Sequence, residues 1–203
     1  MLQQEPLKYK HIVFDFGNVL AAFDEEAILR HFCPNPADIP LMKKAIFHNW
    51  DMLDAGTADY QESAAHAQTL VPERLREPVR SFYRNWYYHL KPIEEIWTLI
   101  HDLKARGASL YILSNAPVPF AEHADYYEII REFDGAVFSA PIQMAKPEEP
   151  IYRYLFDTYH LDPRDCFFID DRADNIKTAR RLGMNGIIFT GDVAAVRREL
   201  RNG

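Results

Sequence analysis

HIVFDFGNVL, residues 11–20, is the stretch on which the fold of this chain turns. Residues 11–16 are a short apolar run rich in β-formers, and the run stops against Gly17 and Asn18, which are turn residues. A strand that ends in a tight turn is predicted, with the carboxylate of Asp15 near its C-terminal end. The same grammar recurs at Ala108–Leu113 before Ser114-Asn115, at Cys166–Ile169 before Asp170-Asp171, and at Gly186–Phe189 before Thr190-Gly191. A shorter run, Ala136–Phe138 leading into Ser139, adds a fifth strand. Between these runs lie helical patterns. Pro92–Arg106 has Pro in its first turn, apolar Ile93, Ile96, Trp97 and Ile100 at helical spacing, and Gly107 as its stop; Glu148–His160 and Ala173–Leu182 read the same way. Strands that are apolar on both faces and alternate with helices imply βαβ units, hence an α/β fold with a Rossmann-like, three-layer parallel sheet. Right-handed crossovers then bring every strand's C-terminal end to one edge, where ligands bind in such sheets.

One connection breaks the pattern. From Val19 to Lys91 roughly 70 residues intervene, far more than a crossover needs. Helical patterns fill that length at Glu25–Phe32, Pro40–His48, Ala58–Leu70 with Thr57 as N-cap, and Arg74–His89. The expected division is therefore a core of residues 1–22 and 91–203, with an α-helical module of residues 23–90 inserted after the first strand. The aromatic stretch Phe82, Tyr83, Trp86, Tyr87, Tyr88 lies in that module and reads as core packing or a lid interface ahead of a ligand box.

Composition excludes several classes. Of 203 residues, 48% are hydrophobic and 26% charged, values for a folded chain with a full core. The 23 basic and 30 acidic residues leave a net charge of −7, the wrong sign for a protein that works on phosphate backbones, so no nucleic-acid partner is expected. Cys33 and Cys166 stand far apart without a CxxC pair, which argues against a disulfide scaffold or a thiolate metal site and fits a reducing compartment. Residues 1–10 lack an apolar signal core, and no stretch approaches the roughly 18 apolar residues that span a bilayer. A cytoplasmic protein with no membrane partner is the expectation.

A carboxylate at the end of a buried strand is costly unless it faces the ligand edge or a cation. Standing alone, Asp15 could as well cap the following turn. Asp170, Asp171 and Asp174 fall within five residues at another strand end. Two like charges about 4 Å apart repel by about 1 kcal/mol in water and about 4 at a protein-surface dielectric, so a bound cation would relieve the group. All-oxygen ligands select a hard ion such as Mg²⁺, and the eight histidines form no HExxH pattern that would suggest zinc. Asp174, one turn along, reads equally as the first-turn acid of the next helix. Lys146, before Pro147, would be an ordinary surface lysine by itself, but its rigid loop could aim the ammonium at the same edge. Ser114-Asn115 supplies a hydroxyl and N–H groups at a strand end, a reasonable anion cradle. Neither GxGxxG nor GxxxxGK[ST] occurs, which removes the main support for nucleotide-binding folds.

Taken in order, Asp15, Ser114, Lys146-Pro147 and Asp170-Asp171 resemble the four motifs of the haloacid dehalogenase-like (HAD) hydrolase superfamily. The resemblance spans nearly the whole chain. Phe14–Leu20 is similar to its first motif, Leu113-Ser-Asn115 to the second, Lys146-Pro147 to the third and Phe168–Asn175 to the fourth. The inserted module resembles the helical cap of that superfamily, and Leu53-Asp-Ala-Gly-Thr57 resembles a cap turn of such members. The resemblance implies that Asp15 is a nucleophile forming an aspartyl-phosphate. It implies Mg²⁺ held by Asp15, the Gly17 backbone carbonyl and Asp171, with Asp170 as a weaker ligand or a supporting group. Lys146, Ser114 and Asn115 would hold the transferring phosphate, and Lys146 and Ser114 would share in catalysis.

The chain departs from most phosphatases of the superfamily at Gly17, where a second Asp usually serves as general acid and base. Such proton transfer contributes about 10²–10⁴ in rate. The Asp-x-Gly-Asn-Val variant is similar to bacterial HAD phosphatases of the α-D-glucose-1-phosphate phosphatase type, whose anomeric leaving oxygen needs less help. The resulting expectation is a Mg²⁺-dependent phosphatase of small phosphorylated metabolites, sugar phosphates foremost, acting as a monomer or weak homodimer. Two alternatives stand beside it: a metal-free 2-haloacid dehalogenase, since halide leaves without a proton, and a HAD-like binding module that has lost catalysis.

Overall fold

The computed structural model describes residues 7–201. Along the chain, β1 (His11–Phe14) and β2 (Ala21–Ala22) precede five helices: α1 (Glu25–Arg30), α2 (Ile39–Ile46), α3 (Trp50–Asp54), α4 (Tyr60–Thr69) and α5 (Glu73–Asn85). The chain then returns through β3 (Lys91–Pro92) to α6 (Glu94–Ala105), β4 (Ser109–Ser114), α7 (Val118–His123), β5 (Gly135–Phe138) and α8 (Ser139–Ile142). It closes with α9 (Glu149–Tyr159), β6 (Cys166–Asp170), α10 (Ala173–Arg181), β7 (Asn185–Ile188) and α11 (Val193–Glu199). The main sheet is five-stranded in the order β5-β4-β1-β6-β7, and every pairing in it is parallel. The α/β, Rossmann-like expectation therefore holds, including the short fifth strand.

Alternation along β1 shows how the layers form, because successive side chains of a strand point to opposite faces. Ile12 and Phe14 fall in one core with Leu110, Ile112, Phe167 and Ile169; Val13 falls in a second core with Leu113 and Phe168. On the first face α6 contributes Ile96, Leu99, Ile100 and Leu103, and α11 contributes Val196. On the second, α9 contributes Ile151, Tyr152, Leu155 and Phe156, and α10 contributes Ile176 and Ala179. Three layers result. The first core runs on without a break into the inserted helices through Ile28, Met42, Ile46, Val79 and Phe82.

The insertion leaves and returns through a two-stranded ribbon in which Ala21 pairs with Pro92 and Ala22 with Lys91. Pro92 therefore lies in β3 rather than in the first turn of α6, whose N-cap is Ile93. Two other expected boundaries move. Asp59, not Thr57, caps α4, because its side chain accepts from the Glu62 N–H. The Arg74–His89 pattern is α5 only to Asn85 and continues as one 3-10 turn, Trp86–Tyr88. The aromatic stretch is chiefly packing: Phe82, Tyr83, Trp86 and Tyr87 are buried, with Trp86 against Phe23, Trp50, Phe82 and Phe120.

Candidate active site

Asp15 extends the line of β1 by one residue, its N–H donating to the Ile169 carbonyl at 2.9 Å. Immediately after it the chain coils: the Phe16 carbonyl accepts from the N–H groups of Val19, Leu20 and Ala21, and the Asn18 N–H donates to Ala21. None of these turn bonds uses the Gly17 carbonyl. Asn18 takes the left-handed conformation (φ 57°) that Asn tolerates better than most residues. Its Oδ1 accepts from the Phe23 N–H at 3.0 Å, and its Nδ2 donates to Asp171 Oδ2 at 3.2 Å. The first strand end, the start of the insertion and the end of β6 are thereby tied together by one side chain.

Lys146 is the centre of charge. Only 4% of its surface is exposed, and its Nζ donates to Asp170 Oδ2 at 2.7 Å, to the Leu113 carbonyl at 2.7 Å and pairs with Asp15 Oδ1 at 2.9 Å. Burial alone would drive the ammonium toward neutrality, but Asp15 and Asp170 outweigh it and hold its pKa above the ordinary lysine value. Asn115 fixes the loop that presents it: Nδ2 donates to the Lys146 carbonyl and Oδ1 accepts the Lys146 N–H, both at 2.8 Å. Asp170 is wholly buried; besides Lys146 it accepts from the Arg172 N–H at 2.8 Å and from Asn175 Nδ2. Its oxygens thus hold Lys146 and Asn175 in place. Asp174 stands exposed in the first turn of α10, the helix-acid role that the sequence offered as its alternative.

Asp15, Asp170 and Asp171 each place one carboxylate oxygen within 4.8 Å of the others. Three carboxylates against one buried ammonium leave an excess of negative charge, and every donor is a hard oxygen. A divalent oxygen-seeking cation fits that set. In keeping with this, Asp15 is pushed up to about 6, chiefly by burial and further by Asp170, while Lys146 and the Ser114 hydroxyl oppose the rise.

These groups open on a cavity of about 450 Å³. Asp15, Gly17, Ser114, Asn115, Lys146 and Asp171 line its sheet edge, and Phe23, Trp50, Asp54 and Trp86 line it from the insertion. Asp170 lies beneath it, bonded to Lys146, and Asp174 stands outside it. Three residues the sequence assigned no role join them. Asn18 and Asn175 sit inside the quoted motifs, but the service of an amide shows only when its partners are known. Asp54 lies in the Leu53–Thr57 turn. Burial, helped by Asp51 and Asp15, pushes its carboxyl up to about 7 against the opposing pull of Lys146 and Arg172.

That turn is docked on the sheet edge. Ser139 Oγ donates to the Asp54 carbonyl and Gln143 Nε2 to the Gly56 carbonyl at 3.2 Å. Gly56 has φ +68°, and a Cβ there would lie 2.3 Å from the Ala140 carbonyl oxygen, so only glycine lets the two backbones meet.

A family model described as haloacid dehalogenase-like hydrolase matches residues 9–183. The sesquiterpene phosphatase astK of Aspergillus oryzae is 30% identical over 106 residues, 52% of this chain and 54% of that protein. An (S)-2-haloacid dehalogenase of Pseudomonas is 29% identical over 105 residues, 51% of this chain and 45% of that one. The chain thus spans about half the length of these curated relatives. Among solved structures, a HAD family enzyme from Bacteroides thetaiotaomicron superposes with a TM-score of 0.71 at 20% identity, covering 94% of this chain and 98% of that one. The wild-type form of that enzyme is also known in complex with magnesium and inorganic phosphate.

Proposed function

The chain belongs to the haloacid dehalogenase-like hydrolases, and from that premise we propose that it is a Mg²⁺-dependent phosphatase of small phosphorylated metabolites, with sugar phosphates as the leading substrates. The observation that carries this reading is the charge arrangement at the sheet edge. Lys146 lies between Asp15 and Asp170 at 2.9 and 2.7 Å, with Asp171 completing an acid cluster that one ammonium does not balance. A carboxylate nucleophile meets a phosphate dianion only where positive charge offsets their repulsion. When bound by Asp15, the Gly17 carbonyl and Asp171, Mg²⁺ would supply that charge and polarise a phosphoryl oxygen. Asp15 attacks phosphorus through the carboxylate oxygen not held by Lys146. Lys146 and the Ser114 hydroxyl hold the phosphoryl oxygens; Asn115, whose side chain is committed to the Lys146 main chain, serves through its backbone and by fixing that loop.

The cavity walls support a small hydroxylated leaving group. Trp50 and Trp86 offer apolar faces, and Glu25 and Asp51 offer hydroxyl acceptors. Both cysteines are free and buried, which supports a reducing, cytoplasmic setting, and no helix among the described residues is long and apolar enough to cross a membrane. A monomer or weak homodimer remains our proposal for the assembly, and residues 23–90 remain our proposed cap.

Gly17, which offers no proton donor, also suits dehalogenation. A panel of phosphate monoesters assayed with and without Mg²⁺, with halide release from 2-haloacids followed in parallel, separates the two. Phosphate release that needs Mg²⁺ and disappears in Asp15→Asn is expected. Halide release undiminished by chelator would establish the dehalogenase instead.

A further inference from the structure

Gly17 leaves the leaving-group oxygen without the carboxyl group that most of the family's phosphatases place two residues after the nucleophile. We propose that Asp54, carried into the cavity by the inserted helices, is the proton-transfer residue of the hydrolysis. This inference rests on the phosphatase reading and deepens it.

Position comes first. Asp54 is the last residue of α3 and lines the same cavity as Asp15, Ser114 and Lys146, entering it from the inserted helices. Its backbone is anchored by Ser139, and two residues on Gly56 meets the Ala140 carbonyl with no room for a Cβ, so the carboxyl is held over the sheet edge by main-chain contacts rather than by a flexible loop. The carboxyl group itself makes no hydrogen bond or ion pair among the described residues and is available to a ligand. The other cavity carboxyls are not comparable. Glu25 pairs with Lys43 at 2.7 Å, Asp171 accepts from Asn18 within the acid cluster, and Asp51 is exposed. The charged groups facing Asp54 are Asp51 from its own helix, Asp15 beyond β1, Lys146 from the loop before α9, and Arg172 from the loop after β6. Burial, with Asp51 and Asp15, outweighs Lys146 and Arg172 and pushes the carboxyl up to about 7, toward the range in which a general acid works near neutrality.

The chemistry closes in two steps. In the first, an Asp15 oxygen bonds to phosphorus, the bond from phosphorus to the leaving oxygen breaks, and that oxygen takes the Asp54 proton and departs as an alcohol. In the second, water attacks the aspartyl-phosphate, gives a proton to the Asp54 carboxylate, and the bond from phosphorus to Asp15 breaks. Inorganic phosphate leaves, and Asp15 and Asp54 are restored.

The test compares wild type with Asp54→Asn in Mg²⁺, using acid-quenched single turnovers with labelled para-nitrophenyl, phenyl and alkyl phosphates. For Asp54→Asn, Asp15 labelling from para-nitrophenyl phosphate should stay within about threefold of wild type. From the alkyl ester it should fall by about 10²–10⁴, the range for a lost general acid. The labelled enzyme should also accumulate, because its hydrolysis lacks a base. Rates equal to wild type on all three esters would overturn the proposal, as would a uniform fall without accumulation. Asp54→Ala gives the same readings should the Asn variant fold poorly. A wild-type enzyme that neither releases phosphate nor labels Asp15 would overturn the phosphatase reading itself, an outcome distinct from an active wild type with an indifferent Asp54.

Discussion

Lys146 neutralises two carboxylates that would otherwise face each other with almost no solvent between them, since their side chains are 11% and 0% exposed. Removing one partner from a buried ionic group costs roughly 3–5 kcal/mol, because the charges left behind are not rehydrated. Lys146→Met should therefore lower the unfolding free energy by about that amount at pH 8, read from urea melts. The loss should shrink as pH falls, because Asp15, pushed up by burial and Asp170 and no longer held down by Lys146 in the variant, takes up a proton and the repulsion fades. An unchanged midpoint at pH 8 would show that the ion cluster contributes nothing net. Asp54 gives a second pH signature. Its folded pKa of about 7 lies above the ordinary 3.8, so the folded state binds the proton more tightly than the unfolded chain, and stability falls as pH rises from about 4 to about 7. Asp54→Asn removes that penalty. Its melting temperature should match wild type near pH 4 and exceed it at pH 8; a constant offset across the range would refute the assignment. Among these residues Asp15 and Lys146 were legible from sequence through their order with Ser114 and Asp170-Asp171; taken alone, the first read equally as a turn cap and the second as a surface lysine. Asn18 and Asn175 were not, since what an amide does shows only when its partners are known.

Elements were legible in proportion to their length and periodicity. The buried runs of β1, β4 and β6 and the amphipathic α6, α9 and α10 declare themselves, because each repeats its apolar spacing often enough to be seen. The two-residue strands β2 and β3 and the short helices α3 and α7 do not repeat at all; the contacts that hold them are tertiary. For α3 that contact is the meeting of Gly56 with α8. Gly56→Ala would put a methyl group 2.3 Å from the Ala140 carbonyl oxygen in a left-handed conformation, so the turn must lift from the sheet edge. A small displacement near the reacting atoms can cost 10²-fold, so kcat/KM should fall by about 10–100-fold while the far-UV circular dichroism is kept. Full activity in Gly56→Ala would mean that the docked turn has no part in positioning the site.

At the scale of the whole molecule the inserted helices share one continuous core with a face of the sheet, so both sides of the cavity are stabilised by the same packing. What that packing does not satisfy is the acid cluster, where oxygens of Asp15, Asp170 and Asp171 lie within 4.8 Å of one another with Lys146 as the one buried counter-charge among the described residues. An ion that binds only the folded chain stabilises it by mass action, by about 2.7 kcal/mol at a concentration 100 times Kd. For a chain of this size each kcal/mol moves the melting temperature by about 2–4 °C, so saturating Mg²⁺ should raise it by roughly 5–10 °C. Asp15→Asn and Asp171→Asn should each weaken the shift, because each removes a charged donor. Asp54→Asn should weaken it less than either, because Asp54 is not one of the three clustered carboxylates. Calorimetric scans with and without Mg²⁺ on these four proteins read the result directly. A wild-type melting temperature indifferent to Mg²⁺ would remove the metal from the mechanism and turn the weight of the argument, through Gly17, toward carbon–halogen cleavage.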